Sequence, residues 1–222
     1  MACMATVAVT ATPPPPSVSM PCVSVSNSTD VLIIADMQAD FLVPGAPLLV
    51  KRGESLLAGI NAVSASLPFR YQVATQDWHP ANHCSFIAQG GPWPQHCVQG
   101  SAGAQLHAGL RTERVNTIIR KGVSQEVDSY SAFLDDNGSP TGLAGLLHSI
   151  GARRVFVCGV AYDFCVFFTA MDACKSGFKV VLLENLTAAV DDAAWPARTE
   201  ELKKAGVVLL QSSALVADGS QT

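Results

Sequence analysis

Charge is scarce in this chain of 222 residues: Asp, Glu, Lys and Arg make up 14% of it, against roughly 25% in an ordinary globular domain. The few charges lean acidic, 18 against 14, for a formal net charge of −4. That balance argues against a protein built to grip nucleic-acid backbones. No apolar run reaches the length of a membrane-spanning helix, so no membrane partner is expected. Residues 1–29 hold no charged side chain. They therefore lack the basic start of a secretory signal and the arginines of a mitochondrial presequence, and Pro13–Pro16 would break a helix there. No Cys-x-x-Cys occurs among the seven cysteines, which argues against zinc ribbons and thioredoxin-type redox pairs. No Gly-x-Gly-x-x-Gly follows a strand, so a dinucleotide cofactor is not expected. These absences together lead us to expect a cytoplasmic protein with reduced thiols. Residues 1–29 read as a disordered low-complexity tail, and 30–222 as a single domain. A homo-oligomer stays open.

Apolar residues, at 49%, supply ample material for a core. They fall into short runs that read as buried strands at 31–35, 71–75, 115–119, 155–159, 179–183 and 207–210. Between them lie helical patterns at 54–66, 142–150, 163–176 and 195–205. Gly151, Gly177 and Gly206 stand where a glycine commonly ends a helix. Strands separated by helices imply right-handed crossovers and a parallel sheet covered on both faces. The expected fold is therefore α/β, a three-layer sandwich around a six-stranded, mostly parallel central sheet.

In such a sheet, ligands bind beyond the carboxyl ends of the strands. Asp36 follows the first predicted strand, Asp77 and His79 the second, and Lys121 the third. Cys165 follows the fourth, in the first turn of a helix. There, unpaired amides and the positive helix end favour a thiolate and could hold an oxyanion. Asp36 ends a stretch of five uncharged residues. Burial would raise its pKa and a neighbouring Lys121 would lower it, which makes a poised base for a thiol. The same spacing equally fits a structural Asp36–Lys121 pair.

Asp77 and His79 are two apart on extended chain, so their side chains share a side with Trp78 turned away. His79, His83 and His96 supply three of the five histidines. A carboxylate with two imidazoles suits zinc, iron or manganese with open coordination positions, and Asp77, His79 and His96 are the candidate ligands. His83 and Ser85 are candidates for a fourth ligand or a supporting partner. The loop setting, with Pro80, Gly90, Gly91, Pro92 and Pro94, would also suit surface histidines. The Asp/His/His set alone would equally serve a non-haem metal oxygenase.

These residues also carry a resemblance. Asp36-Met37-Gln38-Ala39-Asp40-Phe41 resembles the first catalytic motif of the isochorismatase-like cysteine hydrolases. Asp77-Trp78-His79-Pro80 and Trp93-Pro94-Gln95-His96-Cys97-Val98 are similar to the metal segments of their nicotinamidase branch. Lys121-Gly122, Tyr130-Ser131-Ala132-Phe133 and Gly159-Val160-Ala161-Tyr162-Asp163-Phe164-Cys165-Val166 match the lysine motif, the stretch after it and the nucleophile motif. The likeness runs in order from about Val31 to Leu210.

The resemblance implies roles. Cys165 would be the nucleophile, Asp36 its base and Lys121 the cation that orients the pair. A cis peptide would precede Ala161, and the amides of Ala161 and Cys165 would form an oxyanion hole. Asp77, His79 and His96 would hold one divalent metal ion, zinc before iron or manganese, which would bind the pyridine nitrogen. Phe41, Trp93 and Tyr130 would wall the ring. The small-molecule amide would be nicotinamide, hydrolysed through a thioester to nicotinate and ammonia within NAD salvage. A sister amidase acting on a carbamoyl or ureido group is the neighbouring alternative.

Overall fold

The computed structural model describes residues 22–218. Its chain enters through a three-residue strand, β1 (Val23–Val25), and turns into β2 (Asp30–Ala35). Val31, Ile33 and Ala35 face one side of β2 and Leu32 and Ile34 the other, and all five are fully buried. Burial on both faces marks a central strand of a covered parallel sheet. The remaining strands of that sheet are β3 (Tyr71–Asp77), β4 (Thr117–Lys121), β5 (Arg154–Val160), β6 (Lys179–Ala188) and β7 (Val208–Leu210). They lie in the order β4-β3-β2-β5-β6-β7, every pairing parallel. The expected six-stranded α/β sandwich is therefore the observed one.

Helices complete the layers. A four-residue turn, α1 (Ala39–Leu42), follows β2, and α2 (Leu57–Ser66) packs Leu57, Ile60 and Val63 against Leu32, Ile34, Phe156 and Leu183 on one face of the sheet. The opposite face carries α3 (Leu143–Ser149), α4 (Phe167–Lys175) and α5 (Trp195–Lys204). Their Leu143, Leu147, Ala170, Ala173 and Leu202 meet Val31, Ile33, Val155, Val157 and Leu182. No helix among the described residues is long and apolar enough to cross a membrane.

Two expectations need correction. The segment assigned to a tail is ordered from residue 22: β1 pairs in parallel with β8 (Leu215–Ala217), forming a small second sheet. Arg154 ties this corner down by pairing with the buried Asp30 and donating to Ser24 O at 2.6 Å. Strands of three residues show no readable period, so composition alone hid them. Residues 1–21 lie outside the described residues. The third predicted strand also runs at 117–121 rather than 115–119, which makes Lys121 its last residue.

The chain order reverses between β2 and β5: from β2 it builds outward to β3 and β4, and then restarts on the other side. A crevice opens at such a switch point, beyond the carboxyl ends of the strands. Asp36 leaves β2 at that place, and the end of β5 carries a cis peptide between Val160 and Ala161.

Candidate active site

Asp36 and Lys121 are fully buried, and Cys165 is 7% exposed. Asp36 stands at the end of β2 with φ +46°. Thr75 of β3 holds it on two sides, accepting from the Asp36 amide at 3.1 Å and donating to Oδ1 at 2.5 Å. Lys121 reaches inward from the end of the edge strand β4. Its ammonium donates to Asp77 Oδ1, to Ser129 O at 3.0 Å and to Cys165 Sγ at 3.4 Å, and lies 3.1 Å from Asp36 Oδ2. Cys165 sits in a π-type turn (Tyr162–Val166) ahead of α4, where the amides of both Phe164 and Val166 donate to Ala161 O. Asp36, Lys121 and Cys165 thus meet at the carboxyl ends of the strands.

The protonation states follow from burial. Burial drives Asp36 above the ordinary carboxylate value and Lys121 pulls it only part of the way back. For Asp77, burial also pushes upward, but Lys121 and the nearby imidazoles of His79 and His96 outweigh it and hold this carboxyl low. Lys121 would lose its proton on burial alone; Asp36 and Asp77 reverse that and keep it an ammonium well past its usual range. Burial raises Cys165 well above the usual thiol value, against the pull of Lys121, and Asp36 and Asp77 raise it further. Burial and the two carboxylates thus oppose the helix end and Lys121, which favour a thiolate.

A second cluster adjoins the first. Nε2 of His79 and of His96 face Asp77 Oδ2 at 3.6 and 3.9 Å. One ligand atom from each of the three residues fits within a 4.8 Å group. The opposite ring nitrogens are tied to main-chain carbonyls, His79 Nδ1 to Gly122 O at 2.9 Å and His96 Nδ1 to Pro94 O at 2.8 Å. Such bonds fix the proton on Nδ1 and leave the Nε2 lone pair free, which is the arrangement of metal-ligating histidines. The donor set therefore fits a divalent metal ion. His83 does not share that geometry: Nδ1 contacts Ser85 Oγ at 2.8 Å and Nε2 contacts Val127 O at 3.1 Å. Its ring stacks on His79 with centroids 4.1 Å apart. His83 and Ser85 thus support the His79 ring from behind. Trp78 turns away as expected, beneath the Arg120 guanidinium.

Cys165 of the first cluster and Asp77, His79 and His96 of the second open on one narrow cleft. Phe41, Trp93, Tyr130 and Ala161, all expected from the sequence, line it together with Cys165 and the metal-binding set. Trp93 donates to Tyr130 Oη at 2.9 Å, and both rings pack against Phe164. The wall has further members that were not foreseen: Leu48, Val50, Asp128 and Val190. Val190 follows β6 and is held by the buried Asp163, whose carboxylate accepts from the amides of Val190 and Asp191 at 3.0 and 2.9 Å. The strand-end rule could have pointed to it; Leu48 and Val50 sit on a loop with no such signal.

A thiol, a base, a cation and a metal-binding triad around one apolar cleft agree with what the family comparison finds: the isochorismatase domain model matches residues 30–214. The chain belongs to the isochorismatase family. A nicotinamidase of Acinetobacter baylyi is 40% identical over 177 residues, covering 72% of this chain and 81% of the relative. Among solved structures, PnC1 from L. infantum in complex with nicotinate superimposes with a TM-score of 0.88 at 80% identity. That match covers 89% of this chain and 100% of the other. The pyrazinamidase of Pyrococcus horikoshii in complex with zinc gives a TM-score of 0.74 at 38% identity, over 82% of this chain and 98% of the other. Within this isochorismatase domain, burial pushes the thiols of Cys158 and Cys97 up, Cys158 to about 12 and Cys97 higher still.

Proposed function

We propose that this chain is a nicotinamidase, hydrolysing nicotinamide to nicotinate and ammonia through a thioester on Cys165. The observation that carries this reading is the meeting of Cys165, Asp36 and Lys121 beneath a cleft whose wall bears Asp77, His79 and His96. The nicotinamidase of A. baylyi and the nicotinate complex of the L. infantum protein support the choice of substrate.

The aromatic walls of Phe41, Trp93 and Tyr130 clasp the flat ring and exclude water. The amide carbonyl then lies over Cys165. Asp36 takes the thiol proton as sulfur attacks the carbonyl carbon, and Lys121 stabilises the charge on sulfur while it forms. The amides of Ala161 and Cys165 receive the oxyanion. Asp36 returns the proton to the amide nitrogen, the C–N bond breaks and ammonia leaves. Water next attacks the thioester, giving its proton to Asp36; the C–S bond breaks, nicotinate departs and the thiol regains the proton. Asp77, His79 and His96 would hold a divalent ion, which would supply Lewis acidity for binding the pyridine ring. Zinc is the ion we assign, since two imidazoles and a carboxylate suit it and the P. horikoshii neighbour was solved with zinc. We place the reaction in the cytoplasm, where thiols stay reduced; all six described cysteines are free.

The test is ammonia release from nicotinamide, pyrazinamide and a ureido amide assayed side by side. Turnover of both pyridine- and pyrazine-type amides, lost in Cys165→Ala while the fold persists, is the expected result. Turnover of the ureido amide alone would assign the chain to a sister amidase, and full activity of Cys165→Ala would remove the nucleophile.

A further inference from the structure

Three alternate residues leaving β2 reach three different parts of the site. Asp36 is the base. Gln38, fully buried, accepts from the Asp77 amide at 2.8 Å and donates to Asp77 O and Ala104 O, each at 2.8 Å. Asp40, in the first turn of α1, accepts from the Cys97 amide through Oδ2 at 2.7 Å. Cys97 directly follows His96, is fully buried and has φ +47°, a conformation that costs a non-glycine residue energy unless its surroundings enforce it. The Asp40 carboxylate is the group that meets this amide. It is itself packed flush: the Asp40 amide donates to Gly103 O at 3.0 Å, and a Cβ on Gly103 would collide with both carboxylate oxygens.

We propose that Asp40 is a positioning residue for His96, with Gln38 doing the same for Asp77, so that the segment bearing the base also sets the metal site. The loop after Gln89 has no regular element to stiffen it between Trp93 and His96. Its imidazole is aimed by Pro94 O on the ring and by the anchoring of Cys97, whose amide donates to Asp40 and whose carbonyl accepts from the His79 amide at 3.0 Å. Removing the Asp40 acceptor leaves Cys97 held through its carbonyl and the His79–Val98 bridge alone, so its left-handed conformation loses one of its two restraints and the His96 Nε2 converges less closely with that of His79. Supporting groups behind metal ligands typically contribute about 10–100-fold in affinity, and that is the loss expected here. The inference rests on Asp77, His79 and His96 being the metal ligands.

The experiment measures Zn²⁺ affinity by chelator competition, with unfolding of the metal-free protein followed in parallel. Wild type, His96→Ala, Asp40→Ala, Asp40→Asn and Gly103→Ala are compared. Expected are a fall of about 10–100-fold for Asp40→Ala and a similar fall for Gly103→Ala, which displaces the carboxylate without deleting it. Asp40→Asn keeps an acceptor and is expected within a few-fold of wild type. If His96→Ala retains full affinity, the ligand assignment itself fails. If His96→Ala loses the ion while Asp40→Ala and Gly103→Ala keep wild-type affinity, the ligands stand and the positioning role is overturned. A loss in Asp40→Asn equal to that in Asp40→Ala also overturns it, since charge rather than the acceptor would then be responsible. Should Asp40→Ala fail to fold, Gly103→Ala and Asp40→Asn decide the question.

Discussion

Asp36 Oδ2 lies 3.1 Å from the Lys121 ammonium and yet accepts no hydrogen bond from it. An ammonium has three protons, and here they go to Asp77, Ser129 O and Cys165 Sγ. The charge attraction is kept, and Oδ2 faces the thiol, whose proton is directed toward Asp36. One cation thereby steadies sulfur without quenching the base that must deprotonate it. Asp36→Asn keeps the shape and removes the base. Ammonia release from nicotinamide is expected to fall by about 10²–10⁴-fold with an unchanged far-UV spectrum; a variant working at wild-type rate would refute the assignment.

Lys121→Met tests the same relationship from the other side. In the metal-free protein it leaves the buried Asp36 and Asp77 facing each other without the ammonium between them. Breaking a buried pair by removing one partner costs about 3–5 kcal/mol. Urea unfolding should show a loss of that size alongside loss of activity. A stability change under about 1 kcal/mol would mean that the carboxylates are not relying on this cation.

Acid pH should silence the site before it unfolds the fold. Asp36 must be unprotonated to act, and burial has raised it above the ordinary 3.8, only partly offset by Lys121. The acid limb of kcat/KM is thus expected at an apparent pKa above 3.8, a value belonging to the coupled Asp36–Lys121–Cys165 group. The stability terms have opposite signs. Folded Asp36 holds its proton more tightly than the unfolded chain does, so its contribution falls as pH rises through the raised value. Asp77 holds its proton less tightly, so its contribution is present above the ordinary range and is lost as pH falls below it. Unfolding free energy and kcat/KM, followed against pH on one sample, check this; coincident acid transitions would contradict it.

The parts of the site that could be foreseen are those that a parallel sheet dictates. Asp36, Lys121 and Cys165 stand at strand ends, where period and topology already point. His96 lies on a loop without regular structure and was found by chemical clustering with Asp77 and His79. Gln38, Asp40 and Asp163 act through hydrogen bonds to main chain 27 to 66 residues away, and no local pattern carries such information. The β1–β8 pair failed for a related reason, since its two halves sit at opposite ends of the described chain. A helix-end argument for Cys165 leaves out burial, which pushes the thiol upward and is the largest influence on it.

His83 and His96 should part company in a metal assay. His96 offers a free Nε2 toward Asp77, whereas both nitrogens of His83 are engaged by Ser85 and Val127. Plasma emission on purified variants is expected to give near-stoichiometric metal for His83→Ala and little for His96→Ala. Equal loss in both would make His83 a ligand and displace the present set.

Gly122 directly follows Lys121 and links the end of β4 to His79 through a hydrogen bond. Its carbonyl fixes the His79 tautomer at 2.9 Å, and its φ of +59° is one that side chains seldom adopt. A Cβ there would also collide with the His79 ring. Gly122→Ala therefore combines backbone strain of about 1–3 kcal/mol with a displaced ligand. The strain alone would lower stability and leave metal affinity intact. The displacement would lower affinity and leave Lys121, one residue earlier on β4, in place. Both effects act in this variant, so its metal-free unfolding temperature and its Zn²⁺ affinity should fall together. In His79→Ala the affinity should fall with no comparable strain. If Gly122→Ala is destabilised but binds Zn²⁺ as tightly as wild type, the ring has moved aside without penalty, and the carbonyl of Gly122 is not what orients it.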